Sequence, residues 1–261
     1  MKNILLLSLL FLSQNIFSQP PSLSAKKVHI YILAGQSNMA GRGTVEPVDT
    51  VTNPNILMLT KEELWAPAKD PVHFDKPVAG VGPGLSFARE MWAIWKSDPE
   101  AIVAIVPCAV GGTKIDLWQP GAYDNATKTY PWDDAIRRIK KALPDGTVEA
   151  ILWHQGESDA NEALSPSYEN KLRALIAGFR KELNNSSLPF ILGEIGEFKP
   201  GENKHIPFIN SVIKKIAETT PYSAFVSCAG LTHRGDFLHF DAASAREFGK
   251  RYAAAYLAVK K

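Results

Sequence analysis

The sequence predicts an α/β fold in which a mainly parallel sheet is covered by helices on both faces. Apolar runs of strand length alternate along the chain with helical patterns, and this order is typical of parallel sheets. Most runs are continuously apolar, as expected for strands that are buried on both sides. The predicted strands are 28–33, 55–59, 101–106, 148–153, 189–195 and 223–227.

Amphipathic patterns between and after these strands predict the helices. The clearest is 165–183, in which an apolar stripe from Tyr168 to Leu183 recurs at helical spacing, with Ser165 as the cap and Pro166 in the first turn. The other predicted helices are 84–96, 132–143, 206–218 and 242–261.

One long stretch fits neither pattern. Residues 61–83 are rich in proline and glycine and show no periodicity. Such a length predicts either a functional loop over one end of the sheet or an ordinary surface excursion, and the sequence does not separate these alternatives.

The N-terminal segment of the chain has the composition of a targeting sequence. Residues 1–19 combine an early lysine, a short apolar core and small polar residues, which predicts a signal peptide cleaved near Ser18-Gln19. The apolar run is too short to span a bilayer, which disfavours a membrane anchor, and no cysteine stands near the cleavage point for lipid attachment. We therefore expect a secreted or periplasmic protein whose residues 20–261 form one domain.

Charge and cysteine content exclude several classes of function. The formal net charge of +2 gives no electrostatic reason to expect nucleic acid or an anionic membrane as a partner. Cys108 and Cys228 lie far apart, and either a disulfide or two buried thiols fits their positions. There is no Cys/His pattern with metal-ligand spacing, so we expect neither a metal nor another cofactor.

Polar residues follow four of the predicted strands. They are Gly35-Gln36-Ser37-Asn38, Gly111-Gly112, "HQGESD" at 154–159 and "THRGDFLHFD" at 232–241. Because ligands bind at the carboxyl ends of the strands in open parallel sheets, these segments predict a site at that edge.

Residue types in these segments suit acyl transfer. Ser37 is a candidate nucleophile, although a serine at this point could equally cap a helix. Asp236 and His239 are spaced to meet within one turn, where the carboxylate would orient the imidazole. Gly112 could offer a backbone N–H to an oxyanion, or simply form a tight turn. Gln155 and Glu157 are candidates for a further donor and a further carboxylate, or are ordinary turn residues.

Taken together, four segments resemble the SGNH hydrolase superfamily. They are "GQSNMAG" (35–41), "PCAVGGTKIDLW" (107–118), "WHQGESD" (153–159) and "DFLHFD" (236–241). The resemblance is to the carbohydrate esterase branch, which includes family 6 acetylxylan esterases and sialate O-acetylesterase-like proteins. It implies a flavodoxin-like three-layer α/β/α sandwich with a five-stranded parallel core.

The same resemblance implies roles for individual residues. Ser37 would be the nucleophile, His239 the general base and then acid, and Asp236 the orienting carboxylate. The oxyanion hole would combine the N–H groups of Ser37 and Gly112 with the side chain of Gln155. Glu157 is a second candidate for a catalytic carboxylate, because Asp236 already fills that place.

The expected function is a secreted, metal-independent serine esterase that removes acetyl groups from sugars, with xylan-like chains as the first substrate candidate. A sialate or small-sugar O-acetylesterase and a carbohydrate-binding protein without turnover remain alternatives. Trp65 and Trp118 could stack on sugar rings or pack in the core, and His73 in the long loop is a further candidate for substrate contact. The sequence leaves the oligomeric state open.

Overall fold

A seven-stranded sheet forms the centre of the computed structural model, which describes residue 23 and residues 25–260. The predicted signal peptide lies outside these residues. The strand order across the sheet is β3-β2-β4-β1-β5-β6-β7. In chain order the strands are β1 (Lys27–Gly35), β2 (Ile56–Leu59), β3 (Trp65–Pro67), β4 (Ala101–Pro107), β5 (Thr147–His154), β6 (Phe190–Gly193) and β7 (Ser223–Val226).

Helices cover both faces of this sheet. Side chains from α3, α4 and α5 share one buried cluster with Ile30 and Ile32, whereas α2 and α6 share the other with Tyr31 and Leu33. Successive side chains of β1 therefore enter opposite cores, which explains its continuously apolar sequence. The helices are α1 (Ser37–Ala40), α2 (Pro83–Trp95), α3 (Pro131–Ala142), α4 (Tyr168–Glu182), α5 (His205–Thr219) and α6 (Ala242–Lys260).

The predicted three-layer α/β/α architecture is confirmed, with a larger sheet than expected. All neighbouring pairs except one are parallel, so six strands rather than five form the parallel part. The short strand β3 pairs antiparallel with β2 at the edge. It lies inside the aperiodic 61–83 stretch, where three residues are too few to give a recognisable alternation.

One local prediction differs from the structure, and one alternative that the sequence left open is decided. Residues Ser165–Ser167 form a 3-10 turn, and the α-helix begins only at Tyr168. The two cysteines are free thiols, with Cys108 buried and Cys228 half-buried. Within residues 25–260, none of the helices combines the length and the apolar character that crossing a membrane would require.

The sheet topology places the predicted site at its middle. β1 lies between β4 and β5, and all three run parallel, so their carboxyl ends meet at one edge. Gly35 at the end of β1 is level with His154 at the end of β5. The loops that follow these strands therefore face one another.

Candidate active site

Ser37 stands in a tight turn directly after β1. The N–H of Gln36 donates to the carbonyl of His154 at 2.9 Å, so the chain passes very close to β5. Gly35 has a φ of +127°, and a Cβ there would lie 2.0 Å from the same carbonyl oxygen, which explains why only glycine fits. Ser37 then opens the short helix α1 and lines a cleft of about 510 Å³.

The loop between β7 and α6 carries Asp236 and His239. One carboxylate oxygen of Asp236 accepts the backbone N–H groups of Leu238 at 3.0 Å and His239 at 2.8 Å. Phe237 between them has a φ of +57°, which closes the turn. The second carboxylate oxygen lies 2.7 Å from Nδ1 of His239. The spacing of three residues thus brings the Asp236 carboxylate and the His239 imidazole together within a single turn.

These two segments form a continuous chain of hydrogen bonds. Nε2 of His239 lies 3.0 Å from Oγ of Ser37, although the residues are 202 positions apart. Because the Asp236 carboxylate only accepts, the imidazole donates from Nδ1, and this leaves Nε2 free to accept the serine proton. Partial burial of Asp236 acts to raise its pKa. The hydrogen bonds from the backbone and imidazole of His239 outweigh this and lower the pKa of Asp236 to about 2. The acid is therefore ionised throughout the neutral range.

Backbone amides line the cleft beside the hydroxyl of Ser37. Gly112 has a φ of +87° in the turn after β4 and is exposed in this cleft. Within residues 25–260, the N–H groups of Ser37 and Gly112 have no acceptor. The N–H of the neighbouring Gly111 is already bonded to Asp75 at 2.9 Å. Ser37 and Gly112 are thus the amides that can receive an oxyanion.

The sequence that carries this site matches the model of a known protein family. The family described as "Carbohydrate esterase, sialic acid-specific acetylesterase" matches residues 27–258. The chain belongs to this carbohydrate esterase family. It is therefore a carboxylic ester hydrolase of the carbohydrate O-acetylesterase type.

Individual relatives agree with the assignment. A protein of Arabidopsis thaliana named "Probable carbohydrate esterase" is 32% identical over 252 residues, which are 87% of this chain and 90% of that protein. The crystal structure of the Arabidopsis protein matches with a TM-score of 0.76 at 31% identity, over 88% of this chain and 98% of the other.

Two more distant structures share the fold. NanS matches with a TM-score of 0.76 at 19% identity, over 90% of this chain and 98% of its own. A carbohydrate acetylesterase from Xanthomonas citri matches with a TM-score of 0.68 at 21% identity, over 88% of this chain and 56% of the other.

Gln155 requires a correction. The side chain of this residue is fully buried in the carbohydrate esterase, and it does not reach the cleft. Its Nε2 lies 2.5 Å from the carboxylate of Asp159 and 3.2 Å from both the Gln36 side chain and the Thr113 carbonyl. These internal acceptors occupy its donors, so we assign Gln155 to the support beneath the site and not to the oxyanion hole.

Glu157 reaches the cleft but not the imidazole of the esterase. One carboxylate oxygen accepts from the side-chain amide of Asn38 at 2.7 Å. The Nδ1 atom of His239 is bonded to Asp236, so Glu157 does not occupy the position of the orienting acid. Burial raises the pKa of this carboxyl.

The three predicted sugar-contacting residues all lie away from the cleft, which corrects those assignments. Trp118 is buried against Trp153, and its indole N–H bonds to a threonine hydroxyl. Trp65 belongs to the edge strand β3 and donates to Asp145. His73 is buried beside Cys108, where desolvation lowers its pKa to about 4.

Sequence reasoning missed several residues that line the cleft of this esterase. Arg42 follows the "GQSNMAG" segment and pairs with Asp75. Lys76 comes from the 61–83 stretch, which thus contributes to the site, and Arg234 comes from the loop of His239. Arg42 and Lys76 lie outside the polar segments that the sequence analysis identified, although the unusual length of the 61–83 stretch was a usable signal. Arg234 lies inside the segment 232–241 but was assigned no role there.

A metal site would need several ligating side chains around one point. Among residue 23 and residues 25–260, no group of three or more His, Cys, Asp or Glu side chains is placed to hold a metal ion. That the esterase reaction is independent of metal stays a prediction.

Proposed function

We propose that this carbohydrate esterase is a secreted serine O-acetylesterase with Ser37, His239 and Asp236 as its catalytic triad. The observation that carries the proposal is the hydrogen-bond chain from Oγ of Ser37 through His239 to Asp236, with distances of 3.0 and 2.7 Å. A triad is defined by such geometry and not by positions in the chain.

The geometry leads to a two-step reaction. His239 takes the proton of Ser37 while the oxygen attacks the acetyl carbonyl carbon, and the N–H groups of Ser37 and Gly112 receive the negative oxygen. The C–O bond to the sugar then breaks, and His239 returns the proton to the sugar oxygen. Water, deprotonated by the same imidazole, hydrolyses the acetyl-serine and releases acetate.

Two substrate classes fit a carbohydrate O-acetylesterase, namely neutral xylan-like chains and acidic sugars such as sialosides. The charge of the cleft favours the acidic class. Lys76 and Arg234 both line it. In the described part of the chain Lys76 forms no ion pair, whereas Arg234 lies 3.9 Å from the carboxylate of Asp236. A substrate carboxylate could bind Lys76 as its counter-charge, whereas a neutral xylan chain offers this ammonium group only hydroxyl oxygens.

Hydrolysis of p-nitrophenyl acetate by wild type and Ser37→Ala tests the triad. We expect losses of about a million-fold in turnover for Ser37→Ala and His239→Ala. A fluorophosphonate that labels wild type but not Ser37→Ala would identify the nucleophile. Equal turnover of wild type and Ser37→Ala would end the triad assignment, whereas absence of turnover in wild type with every acetylated sugar would favour the carbohydrate-binding alternative.

Acetate release from acetylated xylan and acetylated sialosides tests the substrate class. Lys76→Ala should raise KM for the acidic substrate and leave p-nitrophenyl acetate turnover unchanged within about two-fold. A KM for acetylated xylan that is lower than that for the sialosides would contradict the acidic class. Secretion has its own test, because N-terminal sequencing of exported protein should begin near Pro20.

A further inference from the structure

The side chain of Asn38 joins three separate segments of the active site. It is almost fully buried, and it follows the nucleophile directly in the chain. Its Nδ2 donates to Glu157 at 2.7 Å and to the carbonyl of Leu238 at 3.1 Å. Its Oδ1 accepts the backbone N–H of Phe240 at 3.1 Å. Both N–H donors of the amide and one of the two acceptor positions of its oxygen are therefore used.

The two backbone partners of Asn38 flank the catalytic imidazole. Leu238 precedes His239 and Phe240 follows it, so one amide fixes the chain on both sides of the histidine. The loop itself is largely exposed, with Phe237 and Leu238 both about half exposed. Such a loop needs an anchor if Nε2 of His239 is to remain 3.0 Å from Ser37.

Glu157 determines which way round the Asn38 amide lies. A carboxylate oxygen accepts hydrogen bonds, so it holds Nδ2 toward itself and leaves Oδ1 for the N–H of Phe240. In the described residues, Asn38 is the only hydrogen-bond partner of the Glu157 side chain, and the second carboxylate oxygen has none. The nearest basic atom, Nε2 of the buried His154, is 3.7 Å away.

We propose that Asn38 is a positioning residue that holds His239 against Ser37, and that Glu157 acts through Asn38 by fixing the orientation of its amide. The proposal rests on the triad of the proposed function. It differs from a catalytic role for Glu157, because the carboxylate touches neither the imidazole nor the serine hydroxyl. What the site requires at position 157 is an acceptor, and the negative charge is dispensable.

Substitutions at position 157 separate acceptor from charge. Glu157→Gln keeps an oxygen that can accept from Asn38, whereas Glu157→Ala removes it. We expect Glu157→Gln to retain kcat within about three-fold. Glu157→Ala and Asn38→Ala should each lose roughly 10- to 100-fold in kcat for p-nitrophenyl acetate with little change in KM, as expected when buried hydrogen bonds that position a catalytic group are removed. The exposed Glu162→Gln in the same loop is the matched control.

A double variant tests whether the two residues act as one unit. Asn38→Ala/Glu157→Ala should be no slower than Asn38→Ala alone, because Glu157 has nothing left to orient. Circular dichroism confirms folding of each variant. Should Glu157→Ala fail to fold, Glu157→Leu replaces it, since leucine fills the volume without offering an acceptor.

The outcomes distinguish this inference from the triad itself. Loss of activity in Glu157→Gln as large as in Asp236→Ala would show that the charge is required, and it would overturn the inference while leaving the triad intact. Full activity of both Glu157→Ala and its leucine counterpart would also overturn it. Retained activity of Ser37→Ala would instead refute the triad on which the inference rests.

Discussion

The guanidinium of Arg42 lies 2.6 Å from the carboxylate of Asp75, and both side chains are almost completely buried. The same carboxylate oxygen accepts the N–H of Gly111 at 2.9 Å. Gly112, the next residue, lines the cleft, and its N–H has no acceptor within the described residues. The ion pair therefore fixes the loop that carries one of the two proposed oxyanion donors.

Asp75→Asn should loosen this loop. The amide is a weaker acceptor for both Arg42 and Gly111, and the buried guanidinium loses its counter-charge. We expect kcat for p-nitrophenyl acetate to fall roughly 10- to 100-fold, a part of the effect of losing an oxyanion donor outright. The exposed Glu62→Gln serves as the control. An Asp75→Asn protein that folds and keeps wild-type kcat would contradict this role.

Gln155→Ala should affect stability more than catalysis. Its amide connects Asp159, Gln36 and the Thr113 carbonyl below the cleft, and removing it leaves these buried groups short of a donor. We expect a loss of about 1–3 kcal/mol in the free energy of unfolding. The decrease in kcat should stay below about ten-fold, whereas removal of a true oxyanion donor costs about 100- to 1,000-fold.

Chemical denaturation and steady-state kinetics on the same Gln155→Ala preparation provide the two quantities. If turnover fell by about 100-fold or more while the unfolding free energy stayed the same, Gln155 would have to be assigned to the oxyanion hole after all.

Trp118→Ala should unfold at lower denaturant concentration without weakening substrate binding. The indole packs edge-on against Trp153 at a ring-centroid distance of 5.0 Å and is 2% exposed. Truncating such a side chain typically costs about 3–5 kcal/mol. Trp118→Phe, which keeps an aromatic ring, should lose less. KM for acetylated sugars, measured well below the unfolding temperature, should be unchanged in Trp118→Phe; an increase would indicate a sugar-stacking role.

His154 should contribute to acid destabilisation. Burial lowers its pKa to about 3, whereas an unfolded histidine titrates near 6.5. Between these values the unfolded chain binds a proton that the folded chain does not. The contribution of His154 therefore makes stability decrease as pH falls from about 6.5 toward 3.

The difference between wild type and His154→Leu measures this contribution. Leucine suits the apolar surroundings of the ring, which lies edge-on to Phe240 and Phe248. Between about pH 6 and 4, the slope of unfolding free energy against pH should differ by about one proton, or about 1.4 kcal/mol per pH unit. Parallel slopes for the two proteins would mean that His154 titrates normally in the folded state.

The sequence sufficed for the parts of the site that local patterns determine. The positions of Ser37, Asp236 and His239 could be predicted because Ser37 directly follows the first strand, and because Asp236 and His239 share the loop after the last strand and meet within one turn. The role of Asp75 could not be predicted in this way. Its partners Arg42 and Gly111 are 33 and 36 residues away in the chain, and the 61–83 stretch that contains it has no periodicity.

The direction of individual side chains was the second property of the site that the sequence could not predict. Gln155 does follow β5 at the correct edge, but Asp159 four residues later captures its amide, and no pattern in the sequence shows this. Trp118 and Trp65 were ambiguous between packing and sugar binding, and only the three-dimensional neighbours decide. The prediction of fold class did not depend on side-chain direction, because it rests on the order of many apolar runs and not on any one contact.

The separation of Ser37 and His239 by 202 positions has a consequence for biosynthesis. A ribosome lays down the nucleophile, the glycine turn and most of the sheet long before it reaches the codon for the imidazole. In the proposed triad, a polypeptide that ends before position 239 would carry a serine hydroxyl with no imidazole to take its proton, even if all seven strands had assembled. We therefore expect esterase activity only from chains whose translation has passed His239.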